Sequence, residues 1–381
     1  MRLLYLSTDP GVPVLGRKGA SVHVRAVVNA IAATGTEVVV ASPRVAFEGE
    51  ALESRVALVE IAPVLPKAFA DEGSLLDAVD RQADEVVALV SDLAVDGVYE
   101  RFALFSVAGV RAASALGLPH VLEANAPLRD EATRYRSLPH PQAAALLEQE
   151  VFERTDRVLA ISATLADLLV ATGLDAAKVE VVPNGVEVDT IRPLTPHRGS
   201  RFTVGFAGSL KPWHGIDVLL EGFAAARRAE PALRLEIVGS GPLAEMVAAS
   251  DLPRDALDYR GHLSHRETLQ TIAGWDVGAA PYPPLEQFYF SPLKIAEYMA
   301  CGTCPVASDL PALRALLGGG ERGVLVEAGN ATAFATALVA LARDRDRART
   351  LGAHAREYAL ASLGWHLSAD RALDALRGAR V

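Results

Sequence analysis

The stretch FYFSPLKIAEYMACGTCPVAS, residues 288–308, reads as a loop, a short helix and a buried strand. Ser291 suits the N-cap of the helix, and Pro292 suits its first position, where the missing N–H of proline costs no hydrogen bond. The run CPVAS that follows is short and largely apolar, as expected for a strand covered on both faces. A helix that leads directly into such a strand is typical of an α/β protein with parallel strands.

The same helix carries a lysine and a glutamate three residues apart. Lys294 and Glu297 share one face, whereas Leu293, Ala296 and Ala300 mark a face that we expect to be buried. The helix start offers free backbone N–H groups and a positive dipole end, and Lys294 adds a full charge. This composition is typical of an anion pocket with an acceptor group one turn deeper. A surface Lys–Glu pair on an ordinary capped helix is the alternative.

Short runs rich in Val, Ile and Leu alternate with helical patterns along the whole chain. The predicted strands lie at residues 2–7, 36–42, 96–100, 120–124, 156–162, 178–183, 202–208, 233–239, 257–261, 275–281, 304–308 and 323–327. The stretch VVPNGVEVDTIRPLTPHRGS, residues 181–200, interrupts this order with proline and glycine. The alternation predicts parallel sheets with right-handed crossovers on both sides of that break.

The length of 381 residues fits two domains. We predict a first Rossmann-like, doubly wound domain at residues 1–195 and a second at 200–362. The remaining residues, 363–381, form a helix that we expect to cross back to the first domain. Because open α/β sheets bind ligands at the carboxyl ends of their strands, the two domains are expected to face each other across a cleft.

Composition narrows the possible partners and location. The net charge of −10 argues against nonspecific binding to nucleic acid or anionic membranes. No apolar run approaches the length of a membrane span, and Asp9-Pro10 interrupts the first apolar run, so we expect a cytoplasmic protein. Cys301 and Cys304 follow a helix instead of preceding one, which favours packing over a redox or zinc role.

Motifs in a fixed order resemble the glycogen-synthase-like retaining glycosyltransferases of family 4. They are KGASVHV at 18–24, DRVLAIS at 156–162, VVPNGVEVD at 181–189, VGFAGSLKPWHGIDVLLEGF at 204–223, IVGSGP at 237–242 and PLKIAEYMACGTCPVAS at 292–308. The resemblance covers nearly the whole chain. It implies the GT-B fold, in which the first domain binds the acceptor and the second binds the nucleotide-activated sugar donor. It also implies retention at the anomeric carbon, and no metal ion or cofactor.

The loop FAGSLKPWHG supports a phosphate site independently, although an ordinary βα turn is the alternative. Small residues from Gly208 onward let backbone amides approach a phosphate, and Lys211 supplies charge. Lys211 and Lys294 would then be two cations beside one diphosphate. The resemblance implies that Glu297 accepts hydrogen bonds from the ribose hydroxyls. The residues expected around the nucleotide sugar are Gly19, Gly208, Ser209, Lys211, Gly239, Gly241, His262, Leu263, Phe290, Ser291, Pro292, Leu293, Lys294 and Glu297.

In the first domain, Asn125 aligns with a histidine that the family often has near the reacting sugar. Asn125 therefore joins Lys294 and Lys211 as a catalytic candidate. The acceptor-side candidates, for which a purely structural loop is the alternative, are Glu123, Asn125, Arg129 and Glu131. His23 is expected to be a satisfied core residue, and His262 and His265 to face solvent without a carboxylate partner.

The chain departs from the family pattern at several positions. Tyr289 stands where a glutamate eight residues before Glu297 is usual, with Glu286 out of register nearby, while Ser209 and His214 replace two cations. These departures leave UDP or GDP open, and also the acceptor, which could be a sugar, an aminocyclitol or a cell-envelope glycan. A nucleotide-sugar 2-epimerase of the same architecture and a non-catalytic binding subunit are the alternatives. The oligomeric state is not predicted.

Overall fold

The computed structural model describes residues 1–16, 18–45, 52–188, 201–285, 288–289 and 291–379. The chain divides into two compact units. Unit 1 comprises Met1–Asn184, Tyr289–Ser291 and the residues from Trp365 onward, and unit 2 comprises Gly185–Phe288 and Pro292–Gly364. Unit 2 thus begins before the boundary predicted at residue 195, and a short piece of the predicted second domain belongs to unit 1.

Unit 1 contains one parallel sheet. Its strands are β1 (Arg2–Leu6), β2 (Glu37–Ser42), β3 (Val56–Glu60), β4 (Gly97–Arg101), β5 (His120–Ala124), β6 (Arg157–Ala160) and β7 (Val179–Val181). Its first helices are α1 (Gly19–Ala33), α2 (Glu72–Leu93), α3 (Ala108–Leu116), α4 (Leu128–Tyr135), α5 (Pro141–Arg154) and α6 (Ala163–Ala171), with 3₁₀ turns at Pro66–Ala68 and Ala176–Lys178. The strand order is β3-β2-β1-β4-β5-β6-β7.

Unit 2 contains a second parallel sheet. Its strands are β8 (Phe202–Ala207), β9 (Leu233–Val238), β10 (Leu257–Gly261), β11 (Val277–Ala280), β12 (Cys304–Ser308) and β13 (Val324–Val326). Its helices are α7 (Ile216–Ala229), α8 (Ala244–Ala248), α9 (His265–Ile272), α10 (Leu293–Ala300), α11 (Pro311–Leu316), α12 (Ala331–Arg343) and α13 (Arg345–Ser362), with 3₁₀ turns at Pro212–His214 and Gly318–Gly320. The strand order is β10-β9-β8-β11-β12-β13.

The last helix, α14 (Trp365–Gly378), packs in unit 1. Its buried residues Ala369, Ala372 and Leu373 join the same core cluster as Leu3 and Tyr5 of β1. The other β1 side chains, Leu4 and Leu6, belong to a separate core cluster with residues of α2 and α3. Because successive side chains of a strand point to opposite faces, both faces of this sheet are covered, which explains its uninterrupted apolar runs.

Both sheets reverse their strand order at the first strand of the series. In unit 1 the chain moves outward from β1 to β3 and then returns to add β4 on the other side of β1. In unit 2 the same reversal lies between β8 and β11. Such a switch point opens a crevice at the carboxyl ends of the two neighbouring strands, where open α/β sheets bind ligands.

The doubly wound fold predicted from the sequence is confirmed in both sheets, but three details of the prediction are wrong. The edge strand β3 was not predicted, although its sequence VALVE holds four consecutive apolar residues, and its side chains are half-buried or exposed. The N-cap of α10 is Pro292 and not Ser291. The helix also lacks a single buried face: its buried residues include Lys294, Ile295 and Met299.

Candidate functional site

Lys294 lies at the switch point of unit 2. The side chain is buried, and its ammonium nitrogen Nζ is 4.3 Å from the ring centre of Phe206 and 5.2 Å from that of Tyr282. Phe206 belongs to β8 and Tyr282 follows β11, the two strands between which the order reverses. Nζ has no hydrogen-bond partner among the described residues. A buried ammonium group that contacts aromatic faces and makes no hydrogen bond to the described residues is an incomplete arrangement that an anion would complete.

The position of Lys294 follows from the packing of Tyr298 one turn later. The Tyr298 hydroxyl accepts a hydrogen bond from the Ala207 backbone N–H at 3.0 Å and donates one to the Ala279 carbonyl oxygen at 3.2 Å. These two backbone groups lie in β8 and β11. Tyr298 therefore anchors α10 across the switch point, and Lys294, one turn earlier on the same face of the helix, lies there as well.

Burial changes the protonation of Lys294. It lowers the pKa of the ammonium group to about 7, and the nearby Glu297 carboxylate opposes this shift only in part. An anion bound beside Nζ would favour the charged form and raise the pKa again. The site is therefore suited to an anionic ligand near neutral pH.

Glycines at the ends of β8 and β9 bring two loops together beside this lysine. Gly208 has φ +141°, and a Cβ atom there would lie 3.3 Å from Nζ of Lys294. Gly239 has φ +133°, and a Cβ atom there would collide with the carbonyl oxygen of Gly208. A Cβ atom on Gly241 would lie 2.7 Å from the carbonyl oxygen of Leu210. The predicted glycines are thus required by chain packing, which leaves backbone close to the lysine.

Glu297 has a partner that the sequence analysis did not predict. Its Oε1 atom is 3.0 Å from Nε2 of His265, and both side chains are largely buried. A capping box between Ser264 and Glu267 starts α9, so His265 occupies the first helical position. The expectation that His265 faces solvent without a carboxylate is therefore wrong, whereas His262 is exposed as expected. The S-x-x-E signature in SHRE was the signal that could have placed His265 on a helix start.

His214 does not contribute a cation at neutral pH. Its Nδ1–H donates to the carbonyl oxygen of Ser209. Burial, followed by the charges of Lys294 and Lys211, lowers the pKa of the ring to about 4. The imidazole is therefore neutral at pH 7 and serves to hold the loop.

Lys211 is half-buried on the same loop. Its ammonium nitrogen lies 4.8 Å from the ring centre of Trp213, which is 42% exposed. The loop turns back at Gly215, where φ is +66° and a Cβ atom would collide with the carbonyl oxygen of Pro281 after β11. The loop that carries Lys211 therefore packs closely against the switch point of unit 2.

Other predicted nucleotide-site residues vary in their placement. Leu263 is half-buried after β10, and Ser209 is exposed after β8. No side chain among the described residues caps α10, so its first N–H groups are available to a ligand. Gly19 begins α1 in unit 1, and a Cβ atom there would meet nothing within 4 Å. Phe290 and Glu286 lie outside the described residues.

Tyr289 is a packed residue of unit 1. Its hydroxyl donates to the Glu131 carboxylate, and its carbonyl oxygen accepts from Ser162 Oγ at 2.7 Å. Burial and the neighbouring carboxylate raise the pKa of the phenol well above its ordinary value. Ser291 also belongs to unit 1. The tyrosine thus replaces the usual glutamate with a hydrogen-bonded anchor, and not with another anionic side chain.

Glu123 is the centre of a buried polar cluster in unit 1. Its carboxylate accepts from Arg101 at 3.1 Å and from the Tyr5 hydroxyl at 3.2 Å, and also from Nε2 of His23 and Nδ2 of Asn125. Burial alone would raise its pKa, but the contacts with His23, Arg101 and Asn125 outweigh burial and lower the pKa to about 2. Glu123 is therefore a permanently charged, fully engaged side chain that joins β1, β4, β5 and α1.

The remaining candidates of unit 1 are also engaged with neighbours. Arg129 Nε donates to Glu148 at 2.7 Å, and Glu131 accepts from Tyr289. His23 is buried and only partly satisfied, because its Nδ1 atom has no partner among the described residues. Asn125 is half-buried beside Glu123. The predicted acceptor-side residues therefore form ion pairs and hydrogen bonds with one another and with the core.

A cavity of about 390 Å³ at the switch point of unit 1 was not predicted. Its lining comes from the segments that follow β1, β3, β4 and β5 and from α2. Apolar side chains dominate that lining, among them Val64, Leu104, Phe105, Leu128 and Leu138. Sequence patterns do not show such a cavity, because its walls are contributed by loops that are far apart along the chain.

Two further features bear on the chemistry. In the described part of the chain, no group of three or more His, Cys, Asp or Glu side chains is arranged to hold a metal ion. No described helix combines the length and the apolar character needed to cross a membrane. Cys301 and Cys304 are buried and free, and burial raises the pKa of both thiols, as expected for packing residues.

Comparison with known proteins agrees with the two doubly wound sheets. Residues 17–190 match the model of Glycosyltransferase Family 4, and residues 201–344 match that of Glycosyl transferases group 1. The fold and these matches define a glycosyltransferase of the GT-B class. The chain belongs to glycosyltransferase family 4.

One similar protein is the D-inositol 3-phosphate glycosyltransferase of Kribbella flavida, with 28% identity over 287 residues, or 70% of this chain and 66% of that protein. The structure of sucrose-phosphate synthase from Thermosynechococcus elongatus superposes with a TM-score of 0.74 at 19% identity, over 99% of both chains. Anabaena HepE in complex with UDP and glucose superposes with a TM-score of 0.71 at 17% identity, over 99% of this chain and 100% of that one. At sequence identities this low, the similarity to these structures shows a shared fold and nothing more.

Proposed function

We propose that the protein is a retaining glycosyltransferase that moves a sugar from a UDP- or GDP-sugar to a hydroxyl group of a small-molecule or glycan acceptor, without a metal ion. The observation that carries the proposal is the buried ammonium group of Lys294, which has no hydrogen-bond partner in the described part of the chain and lies at the switch point of unit 2. A diphosphate is the anion that a nucleotide-sugar donor would place there.

Within this proposal the donor binds to unit 2. Lys294, Lys211 and the uncapped start of α10 hold the diphosphate, and the glycine loops after β8 and β9 let backbone approach it. Glu297 accepts hydrogen bonds from the ribose hydroxyls. His265 then shares or yields its contact with Glu297 when nucleotide binds.

The reaction is a substitution at the anomeric carbon of the donor sugar. The acceptor oxygen forms a bond to that carbon, and the bond from the carbon to the diphosphate oxygen breaks. The proton of the acceptor hydroxyl passes to the leaving diphosphate, which carries away the electron pair. The two lysines and the helix dipole stabilise the charge that develops on the leaving group, the task that a metal ion performs in other transferases.

The comparisons support UDP as the first donor nucleotide to test, because HepE was solved with UDP and glucose. The family resemblance supports retention. The name of the Kribbella relative supports a hydroxylated ring as acceptor, as do the sugar, aminocyclitol and glycan classes expected from the sequence.

A two-stage experiment tests the proposal. Thermal denaturation in the presence of UDP, GDP and their hexose derivatives identifies the donor, because a ligand of the native state raises the melting temperature. The donor is then incubated with hydroxylated acceptors, and the anomeric coupling constant of the product is read by NMR. An α-linked product from an α-linked donor is expected. Inversion would contradict the retaining mechanism, and conversion of the donor to a new nucleotide sugar without acceptor would indicate an epimerase.

A further inference from the structure

The cavity of unit 1 lies where this kind of sheet binds ligands. Thr8 follows β1 and Ser106 follows β4, the two strands at which the strand order reverses, and both residues line the cavity. All of its lining residues belong to unit 1. A volume of about 390 Å³ is within the range of small-molecule sites.

The polar groups deep in the cavity are uncharged. Gln82 is 3% exposed, and its Nε2 donates to the Ala62 carbonyl oxygen at 2.7 Å, which leaves Oε1 without a partner among the described residues. Ser106 Oγ donates to Glu100 at 3.1 Å and keeps lone pairs for a ligand. Thr8 Oγ1 is buried and has no described partner. These groups match the hydroxyl groups of a neutral ligand.

The walls of the cavity are apolar and partly open to solvent. Leu104, Leu128 and Leu138 are half-buried, and Leu65 is 49% exposed at the rim. Half-exposed leucines around a cavity bury more surface when an apolar ligand enters. The charged side chains in the lining, such as Lys67 and Arg136, are exposed. The guanidinium nitrogen of Arg136 also lies 3.6 Å from a carboxylate oxygen of Glu131.

The backbone of the wall is strained at one residue. Phe105 has φ +66°, a conformation that costs energy for a bulky side chain, and its ring is buried in the core of unit 1. Such strain persists only where the surrounding structure enforces it, and it concentrates at ligand sites.

We propose that this cavity binds the acceptor, and that the acceptor is an uncharged hydroxylated molecule with an aryl or short alkyl group. The apolar group packs on the leucine walls, and a hydroxyl group donates to Gln82 Oε1. This inference rests on the proposed transferase function and makes it more specific. It separates this protein from relatives whose names contain inositol 3-phosphate, because the cations among the described lining residues, Lys67 and Arg136, are exposed and the buried polar groups are uncharged.

Calorimetry on the full chain tests the proposal with three probes: phenyl β-glucoside, methyl β-glucoside and inositol 3-phosphate. Phenyl glucoside is expected to bind at least about tenfold more tightly than methyl glucoside, since each methylene-sized apolar group in a hydrophobic pocket contributes a factor of about ten or more. Equal affinity for the two glucosides, tighter binding of inositol 3-phosphate, or no binding of phenyl glucoside would overturn the inference.

Two variants locate the bound probe. Leu65→Ala should weaken phenyl glucoside about tenfold, and the matched control Leu146→Ala should not, because Leu146 is a 63% exposed leucine of α5 outside the cavity. Gln82→Met should weaken phenyl glucoside about threefold to tenfold by removing one hydrogen bond. Thermal denaturation checks that each variant is folded. Unchanged affinity in both cavity variants would place the probe elsewhere and overturn the proposal.

The same probes separate this inference from the proposed function. Binding of phenyl glucoside without sugar transfer from any nucleotide sugar would overturn the transferase and would leave the ligand class of the cavity standing. Transfer to methyl glucoside and inositol 3-phosphate with the same kcat/KM as to phenyl glucoside would overturn the inference and would leave the transferase standing.

Discussion

At the scale of single residues, the protonation of Lys294 couples ligand binding to pH. In the unliganded protein burial lowers the pKa of Lys294 to about 7, and its ammonium group has no hydrogen-bond partner among the residues that the structure describes. Above pH 7 the free site is mostly neutral, whereas a bound diphosphate favours the charged form. Binding of an anion must therefore take up a proton from solution.

This coupling predicts that UDP binding weakens as the pH rises. Between pH 7.5 and pH 9, where the terminal phosphate is already ionised, the association constant should fall by up to about tenfold per pH unit. Isothermal titration calorimetry in buffers of different ionisation enthalpy measures both the affinity and the proton uptake. Lys294→Met, which is similar in length and cannot titrate, should bind UDP weakly with little dependence on pH. If the UDP affinity of Lys294→Met depends on pH as strongly as that of the parent protein, another group is responsible for the proton uptake.

A second residue-scale prediction concerns Glu297. Glu297→Gln keeps the size of the side chain and weakens its acceptor strength toward ribose hydroxyls, so UDP binding should lose about 1.5–3 kcal/mol. The loss should be smaller with a nucleotide that lacks the 2′-hydroxyl, since one of the hydrogen bonds is then already absent. His265→Asn is the companion variant, because it removes the ring that lies 3.0 Å from Glu297. If Glu297→Gln binds UDP as tightly as the parent protein, the glutamate serves only to hold His265.

At the scale of elements, the loop after β9 offers a matched test of close backbone approach. Gly239 and Gly261 both have positive φ, but a Cβ atom on Gly239 would collide with Gly208 whereas one on Gly261 would meet nothing within 4 Å. Gly261→Ala should therefore cost only backbone strain, about 1–2 kcal/mol. Gly239→Ala should cost more and should also weaken UDP binding, because the loop beside Lys294 must move.

Chemical denaturation and UDP calorimetry on both glycine variants check this prediction. Equal losses of stability and unchanged UDP affinity in the two variants would show that the loops after β8 and β9 can separate without harm. That outcome would remove the packing explanation for these glycines.

In unit 1, the buried cluster around Glu123 joins several strands and a helix. Glu123→Gln removes the charge that pairs with Arg101 and His23 in the core, so unit 1 should lose about 3 kcal/mol of unfolding free energy at pH 7. Because the pKa of Glu123 is lowered in the folded state to about 2, its stabilisation is present above the unfolded pKa and is lost as the pH falls toward 2. The difference between variant and parent should therefore shrink below about pH 4.5.

Urea denaturation of the full chain, followed by far-UV circular dichroism, measures this effect. Glu153→Gln is the control, since Glu153 is exposed on α5 and its carboxylate accepts a hydrogen bond only from Gln149 among the described residues. If Glu123→Gln loses no more unfolding free energy than the control, the charge of Glu123 does not stabilise unit 1.

At the scale of the whole molecule, the proposed mechanism predicts full transferase activity in excess EDTA. The charge on the leaving diphosphate is met by Lys294, Lys211 and the start of α10, and no described carboxylate cluster is arranged for a metal ion. Steady-state rates with EDTA, and with added Mg²⁺ or Mn²⁺ as the control, test the prediction. A strict requirement for either ion would contradict the metal-free mechanism.

The amino-acid sequence by itself determined the order of strands and helices and hence the class of fold. Runs such as HVLEA and CPVAS coincide with β5 and β12, because fully buried parallel strands demand continuous apolar residues. The sequence also predicted the glycines at which the loops after β8 and β9 approach each other, since close backbone approach limits the choice of residue. The edge strand β3 was not predicted, and its half-buried and exposed side chains show that an apolar run such as VALVE does not by itself require burial on both faces.

Only the tertiary structure decided what surrounds each of those residues. The sequence left an anion pocket and a surface Lys–Glu pair as alternatives for Lys294, whereas the contacts of Tyr298 with β8 and β11 place the helix so that the ammonium group is buried beside two rings. The contact of His265 with Glu297, the saturation of Glu123 and the cavity of unit 1 depend likewise on residues that are far apart in the chain. Sequence periodicity records which face of an element is buried, whereas protonation and ligand preference depend on the neighbours that other elements bring to that face.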